Sequence, residues 1–318
     1  MSVVVDRRPR ANRRALLVAG AAAVPTLLLS SRARADDGSS ASTTLSILHT
    51  NDTHSRMLPF ESGPHAGQGG VARRATVFRR AREANPATLV LDAGDTFQGT
   101  PWFNEFKGEL DVQVMHALGY DATALGNHDF DAGAEKLASN LAHAPALGVL
   151  AANYVVDAAS PLAARVRPHQ LFERGGVKVG VFGLGIAFAG LVNPRLHEGV
   201  RYTDPREAAR RSVDELREAG AQVVVAVSHL GFTGYRGEVG DTEWPKDVPG
   251  VTYVVSGHTH TLLEEPARVR HATSGHETAV MQVGHSGLFV GHASLVVDAR
   301  GRAKLTRASC APVDDRAT

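Results

Sequence analysis

Short apolar runs recur along the chain at 45–48, 89–91, 123–125, 149–151, 177–184, 223–227 and 251–255. They are rich in Val, Leu and Ile and do not alternate with polar residues, the pattern of strands buried on both faces. Segments of helical period lie between several of them. Residues 71–84 set apolar positions against Arg73, Arg74, Arg79, Arg80 and Arg82, which reads as the solvated side of a helix. Residues 205–219 form another, with Asp204 placed to cap, Pro205 at the first helical position and Gly220 just past the end. After Gly257 come β-like runs at 267–270, 278–283, 288–297 and 304–307, divided by Gly or turn residues without a helix. The alternation predicts an α/β fold that gives way to antiparallel hairpins. No repeat and no Pro- or Gly-rich linker interrupts it, so one domain is expected over 44–310, with a tail at 311–318.

Composition narrows the picture. A chain of 318 residues with 43% hydrophobic and 21% charged residues suits a soluble globular protein. Its formal charge of +1 hides an asymmetry, because residues 1–35 carry seven Arg against Asp6 alone. The remainder has 27 bases and 32 acids, near −5. That sign offers no electrostatic footprint for duplex nucleic acid, so small molecules are the expected partners.

Residues 1–35 read as an export signal: a basic start, an apolar stretch at 15–29, then Ala33-Arg34-Ala35 as a small-x-small cleavage site. The stretch falls short of the roughly 20 residues a membrane span needs. Asn12-Arg13-Arg14-Ala15-Leu16-Leu17 resembles a twin-arginine signal, which exports folded proteins. A mature chain beginning near Asp36, with 36–43 as a polar linker, is expected in the periplasm or outside the cell, meeting the membrane only during export. The lone Cys310 excludes an internal disulfide, which leaves stapling to bound metals.

Five strand-like runs end in loops bearing metal-ligand side chains. These are Asp52 and His54 in HTNDTH, Asp95 in DAGDT, Asn127 with His128 in GNHD, His229 in VSHLG, and His258 with His260 in GHTH. Open α/β sheets bind ligands beyond the carboxyl ends of their strands. Imidazole nitrogen with carboxylate or amide oxygen, and no thiolate, suits Mn, Zn, Fe or Co rather than Ca. Singly these loops are ordinary; Gly94-Asp95, for instance, is a common turn dipeptide. Alternate imidazoles in a tight loop, however, cost desolvation when no ligand is present. The set as a whole points to two metal ions about 3.5–4 Å apart.

The motifs ILHTNDTHSR, GGVARRA, LDAGDTFQGTPW, ALGNHDFDAG, VSHLG and VSGHTH resemble those of the calcineurin-like metallophosphoesterases. Within that family they are similar to the catalytic domain of the bacterial 5′-nucleotidase group. The resemblance implies a four-layer α/β/β/α sandwich around two divalent metals. It implies one metal held by Asp52, His54, Asp95 and His260, and another by Asp95, Asn127, His229 and His258, with Asp95 shared. His128 and Asp131 match the family's catalytic pair. The implied reaction is hydrolysis of phosphate esters, nucleotides or other small phosphomonoesters, by a hydroxide between the ions. His128 would stabilise phosphoryl charge or protonate the leaving oxygen, and Asp131 would fix its tautomer. The group's second domain, which clamps the nucleoside, has no counterpart before Thr318, so little discrimination of the leaving group is expected. Two alternatives remain: the related sulfur-oxidation hydrolase that releases sulfate from a carrier cysteine, and a non-catalytic metal-binding module.

Other histidines carry weaker patterns. His49 and His116 read as packing; His65, His143, His169 and His197 lie near turns, and His271 and His276 flank Ser274-Gly275. His285 and His292 fall in the terminal β region, where His285 stands out because Gly284-His285-Ser286-Gly287 follows a strand. Phe97, Trp102 and Phe103 are expected to pack under the site.

Overall fold

The computed structural model describes residues 42–317, so the expected export signal and most of the linker lie outside it. The strands up to the middle of the chain are β1 (Thr43–Thr50), β2 (Thr88–Asp92), β3 (Ala122–Ala124), β4 (Gly148–Leu150), β5 (Tyr154–Val156), β6 (Val166–Arg167), β7 (His169–Arg174) and β8 (Val177–Leu184). There follow β9 (Val200–Tyr202), β10 (Val223–Ser228), β11 (Tyr253–Ser256), β12 (Ala267–Arg270), β13 (Glu277–Met281), β14 (Phe289–Val297) and β15 (Ala303–Pro312). The helices are α1 (Val71–Ala84), α2 (Pro101–Phe106), α3 (Glu109–Leu118), α4 (Ala134–Leu141) and α5 (Pro205–Glu218).

Two sheets dominate. The first has seven strands in the order β15-β14-β1-β2-β3-β4-β6, and the second six in the order β12-β13-β11-β10-β8-β7. In each, the central strands run parallel, from β1 to β6 in the first and across β8, β10, β11 and β13 in the second. Apolar residues on both faces explain the non-alternating runs. Leu45, Ile47, Leu89 and Leu91 meet Val179, Val181, Val225 and Val227 between the sheets. On the outer side of the first sheet, Leu48 and Val90 pack with Phe78 of α1, Met115 of α3 and Leu137 of α4. Val224, Ala226 and Val254 do the same with Val213 and Leu216 of α5. The layers are therefore helix, sheet, sheet, helix, as the resemblance implied.

Several expectations needed correction. The C-terminal segments do form two hairpins, but they join different sheets, and β13 lies parallel to β11. Strand β14 instead closes against β1. The arginine face of α1 is not uniformly solvated: Arg74 is buried, and its charge acts on the buried Asp111. The helix α5 ends as its signals predict, with Asp204 Oδ1 accepting the N–H groups of Arg206 and Glu207. Among the described residues, no helix is long and apolar enough to cross a membrane.

Candidate metal centre

Each of the five loops leaves the carboxyl end of a parallel strand. Asp52 and His54 follow β1, Asp95 follows β2, and Asn127 and His128 follow β3, all in the first sheet. His229 follows β10, and His258 and His260 follow β11, in the second. The centre exists only where the two sheets meet. Two groups of side chains there could each hold a metal ion: Asp52 with His54 and His260, and Asp95 with His229 and His258. They adjoin, since His229 Nε2 stands 4.0 Å from Asp52 Oδ1. Asn127 and His128 line the same cavity.

The backbone bends sharply to achieve this. Asp52, His54, Asp95, His258 and His260 have φ of 49°, 49°, 52°, 72° and 54°, a left-handed conformation few non-glycine residues adopt. Bonds between loops hold it in place. The Asp52 N–H donates to Gly94 O (2.9 Å), His54 N–H to Asp95 O (3.1 Å) and Ser286 N–H to Asp52 O (2.6 Å). Gly126 shows how tight the packing is: a Cβ there would lie 2.2 Å from Asp95 Oδ1 and 2.7 Å from His229 Nε2.

The donor atoms fit divalent cations. His229 Nδ1 donates to Ala93 O (2.7 Å) and His54 Nδ1 to Phe97 O (3.1 Å), which leaves both Nε2 atoms facing the centre. His229 Nε2 lies 3.0 Å from Asp95 Oδ2 without hydrogen-bond geometry. Asn127 Oδ1 is likewise buried and has no hydrogen-bond partner. Buried polar atoms are rarely left so, and a shared cation would satisfy both. Burial opposes charge on His229, but without a cation Asp95 outweighs it and raises the imidazole above its usual range. Burial alone would raise Asp95; His229 reverses this and holds it well below the carboxylate range. At the rim, His128 Nδ1 bonds Asp131 Oδ2 at 2.8 Å, and that bond raises the His128 pKa against burial.

The calcineurin-like phosphoesterase profile matches residues 45–262. The chain belongs to that family. The snake venom 5′-nucleotidase of Naja atra is 34% identical over 289 residues, covering 85% of this chain and 53% of its own length. The 5′-nucleotidase precursor structure from Thermus thermophilus has a TM-score of 0.77 at 34% identity, across 87% of this chain and 56% of that one. The NAD nucleotidase structure from Haemophilus influenzae has a TM-score of 0.72 at 28% identity, across 84% and 50%. The chain thus spans about half the length of these relatives.

Beyond the candidate ligands, this phosphoesterase centre rests on side chains to which sequence patterns assign no role. Asp129 Oδ2 accepts the N–H groups of Asp95 (3.1 Å) and Gly126 (2.8 Å), and Oδ1 that of Thr96 (3.0 Å), clamping two ligand loops together. Asn51 joins the sheets, donating to Asp52 Oδ2 (2.7 Å) and Gly284 O (2.6 Å) and accepting from Val283 N–H (3.0 Å). Gln282 holds the GHTH loop, donating to Gly257 O and accepting from Thr261 N–H. Asn51 and Asp129 carry one sequence signal, their place inside the motifs, whereas Gln282 lies outside them. His285 does approach the centre, its ring stacked on that of His260 at 4.8 Å. The aromatics divide: Phe97 and Phe103 are buried as expected, whereas Trp102 is 37% exposed and stacks with Phe106. His197, half-buried, stacks on Phe188 at 4.1 Å.

Proposed function

We propose that this chain hydrolyses phosphate esters with two divalent metal ions, and that 5′-nucleotides are its main substrate class. The observation carrying this reading is the convergence of two Asp/His groups beside the His128–Asp131 pair. Asp52, His54 and His260 would hold one ion, Asn127, His229 and His258 the other, and Asp95 both. When bound, the ions polarise the phosphoryl oxygen and activate water for attack. The protein's own groups do the rest. His128 lines the cavity with Nδ1 fixed by Asp131, so its Nε2 is available to the leaving oxygen. Because Asp131 raises its pKa, His128 retains a proton further toward neutral pH, suited to stabilising phosphoryl charge or protonating the alcohol. Nucleotides are favoured because the relatives named above are nucleotidases.

Export to the periplasm or beyond is part of the same reading, supported by the pattern of residues 1–35 and by a relative found in venom. The decisive assay screens the purified protein with Mn against nucleoside monophosphates, cyclic nucleotides and aryl phosphates. AMP turnover abolished by chelator is expected. Full metal loading without turnover of any ester would refute the enzyme reading in favour of a binding module.

A further inference from the structure

The centre opens into a cavity of about 590 Å³, far larger than a phosphoryl group and in the range of pockets that enclose whole small molecules. Its walls are unequal. Arg56 and Gln98, from the loops after β1 and β2, make one side polar. Leu191 and Tyr235, from the loops after β8 and β10, make the other apolar and aromatic. Resting on the phosphoesterase reading, the geometry points to Tyr235 and Leu191 as the wall that receives the leaving group, selecting phosphomonoesters whose leaving group carries a flat ring.

Tyr235 is presented firmly. Its ring stands edge-on to His258, a proposed metal ligand, at 4.9 Å and 85°. The segment carrying it folds back on itself: Gly231, Gly234 and Gly237 have positive φ, and a Cβ on Gly240 would lie 1.9 Å from Gly234 N. Asp241 N–H closes the loop on Gly231 O at 2.8 Å, and Phe232 N–H ties it to Thr259 Oγ1 at 3.0 Å. Arg236 lies over the Tyr235 ring at 5.2 Å and reaches Gly190 O, beside Leu191, at 3.5 Å. A phosphate at the metals therefore places its ester group against an anchored aromatic surface. Discrimination of the leaving group is built into this chain.

The test compares kcat/KM for AMP, p-nitrophenyl phosphate and glycerol 2-phosphate in wild type, Tyr235→Ala and Tyr235→Phe, all at equal Mn content. Losing an aromatic contact to a base costs on the order of tenfold in binding. Tyr235→Ala should lower the preference for AMP over glycerol 2-phosphate by about that factor, mainly through KM, and Tyr235→Phe should keep it. Calorimetric titration with adenosine should show the same weakening without any turnover. Equal losses on all three esters, or unchanged preference and adenosine affinity in Tyr235→Ala, overturn the assignment and leave the phosphoesterase reading intact. A wild type inert toward every ester refutes that reading instead, and adenosine binding then decides the role of Tyr235 alone.

Discussion

Replacing Asp129 by Asn tests whether the centre is preassembled by a backbone clamp. The carboxylate accepts three backbone N–H groups, two at Oδ2 from Asp95 and Gly126 and one at Oδ1 from Thr96. Burial raises this carboxyl to about 6, so at pH 8 it is ionised and acts as an acceptor at both oxygens. An amide in the same place must turn its NH2 toward at least one of these donors. Its better orientation keeps the two bonds at Oδ2 and opposes the Thr96 N–H. One buried donor left unpaired costs roughly 1–3 kcal/mol. Relief of repulsion between Asp129 and Asp95 offsets part of this loss. At about 2–4 °C per kcal/mol for a domain near this size, Tm should fall by a few degrees. Loosening the Asp95 loop should also cost roughly 10–100-fold in metal affinity, as loss of an outer partner commonly does. Calorimetric unfolding and Mn titration at pH 8 measure both. Wild-type Tm together with wild-type Mn affinity in Asp129→Asn would refute the clamp.

Asp95→Asn should abolish binding of both metals and all turnover, whereas His128→Asn should keep the metals and lose about 10²–10⁴ in kcat; metal analysis beside initial rates separates the two, and full activity in either variant contradicts its assigned role. His49 supplies a pH test. Burial, then the charge of His292, lower it to about 3, and its Nε2 meets Tyr253 Oη at 3.0 Å. The folded state therefore refuses a proton that the unfolded chain accepts below about 6.5. Stability should fall as pH drops through that window, by about 2 kcal/mol from pH 7 to pH 5. Urea unfolding at both pH values should show the smaller loss in His49→Gln, and equal losses would remove His49 as the cause.

Much of the candidate site was legible because its side chains are chemically distinctive and crowd into short motifs. Asp52, His54, Asp95, Asn127, His229, His258 and His260 each stand where an apolar run stops. Less legible were the residues that act on backbone. Asp129, Asn51 and Gln282 have ordinary side chains whose partners are N–H and C=O groups brought near only by folding. Arg74 eluded the helical pattern because its inward turn depends on what α1 packs against. Tyr235 likewise gave no signal, since a single aromatic in a glycine-rich loop acquires meaning only from the cavity it lines.

The sequence by itself determined the alternation of buried strands and helices and the identity of the candidate ligands, because burial and metal affinity are properties of residue type and local spacing. Tertiary structure decided that the hairpins β12–β13 and β14–β15 join different sheets. It also decided that candidate ligands from both sheets meet in one place, and that a Tyr and a Leu wall the space beside them. Those outcomes depend on pairings between distant segments, such as Asn51 with Gly284, 233 residues apart. No local pattern encodes them, because their energy is realised only when the two sheets pack.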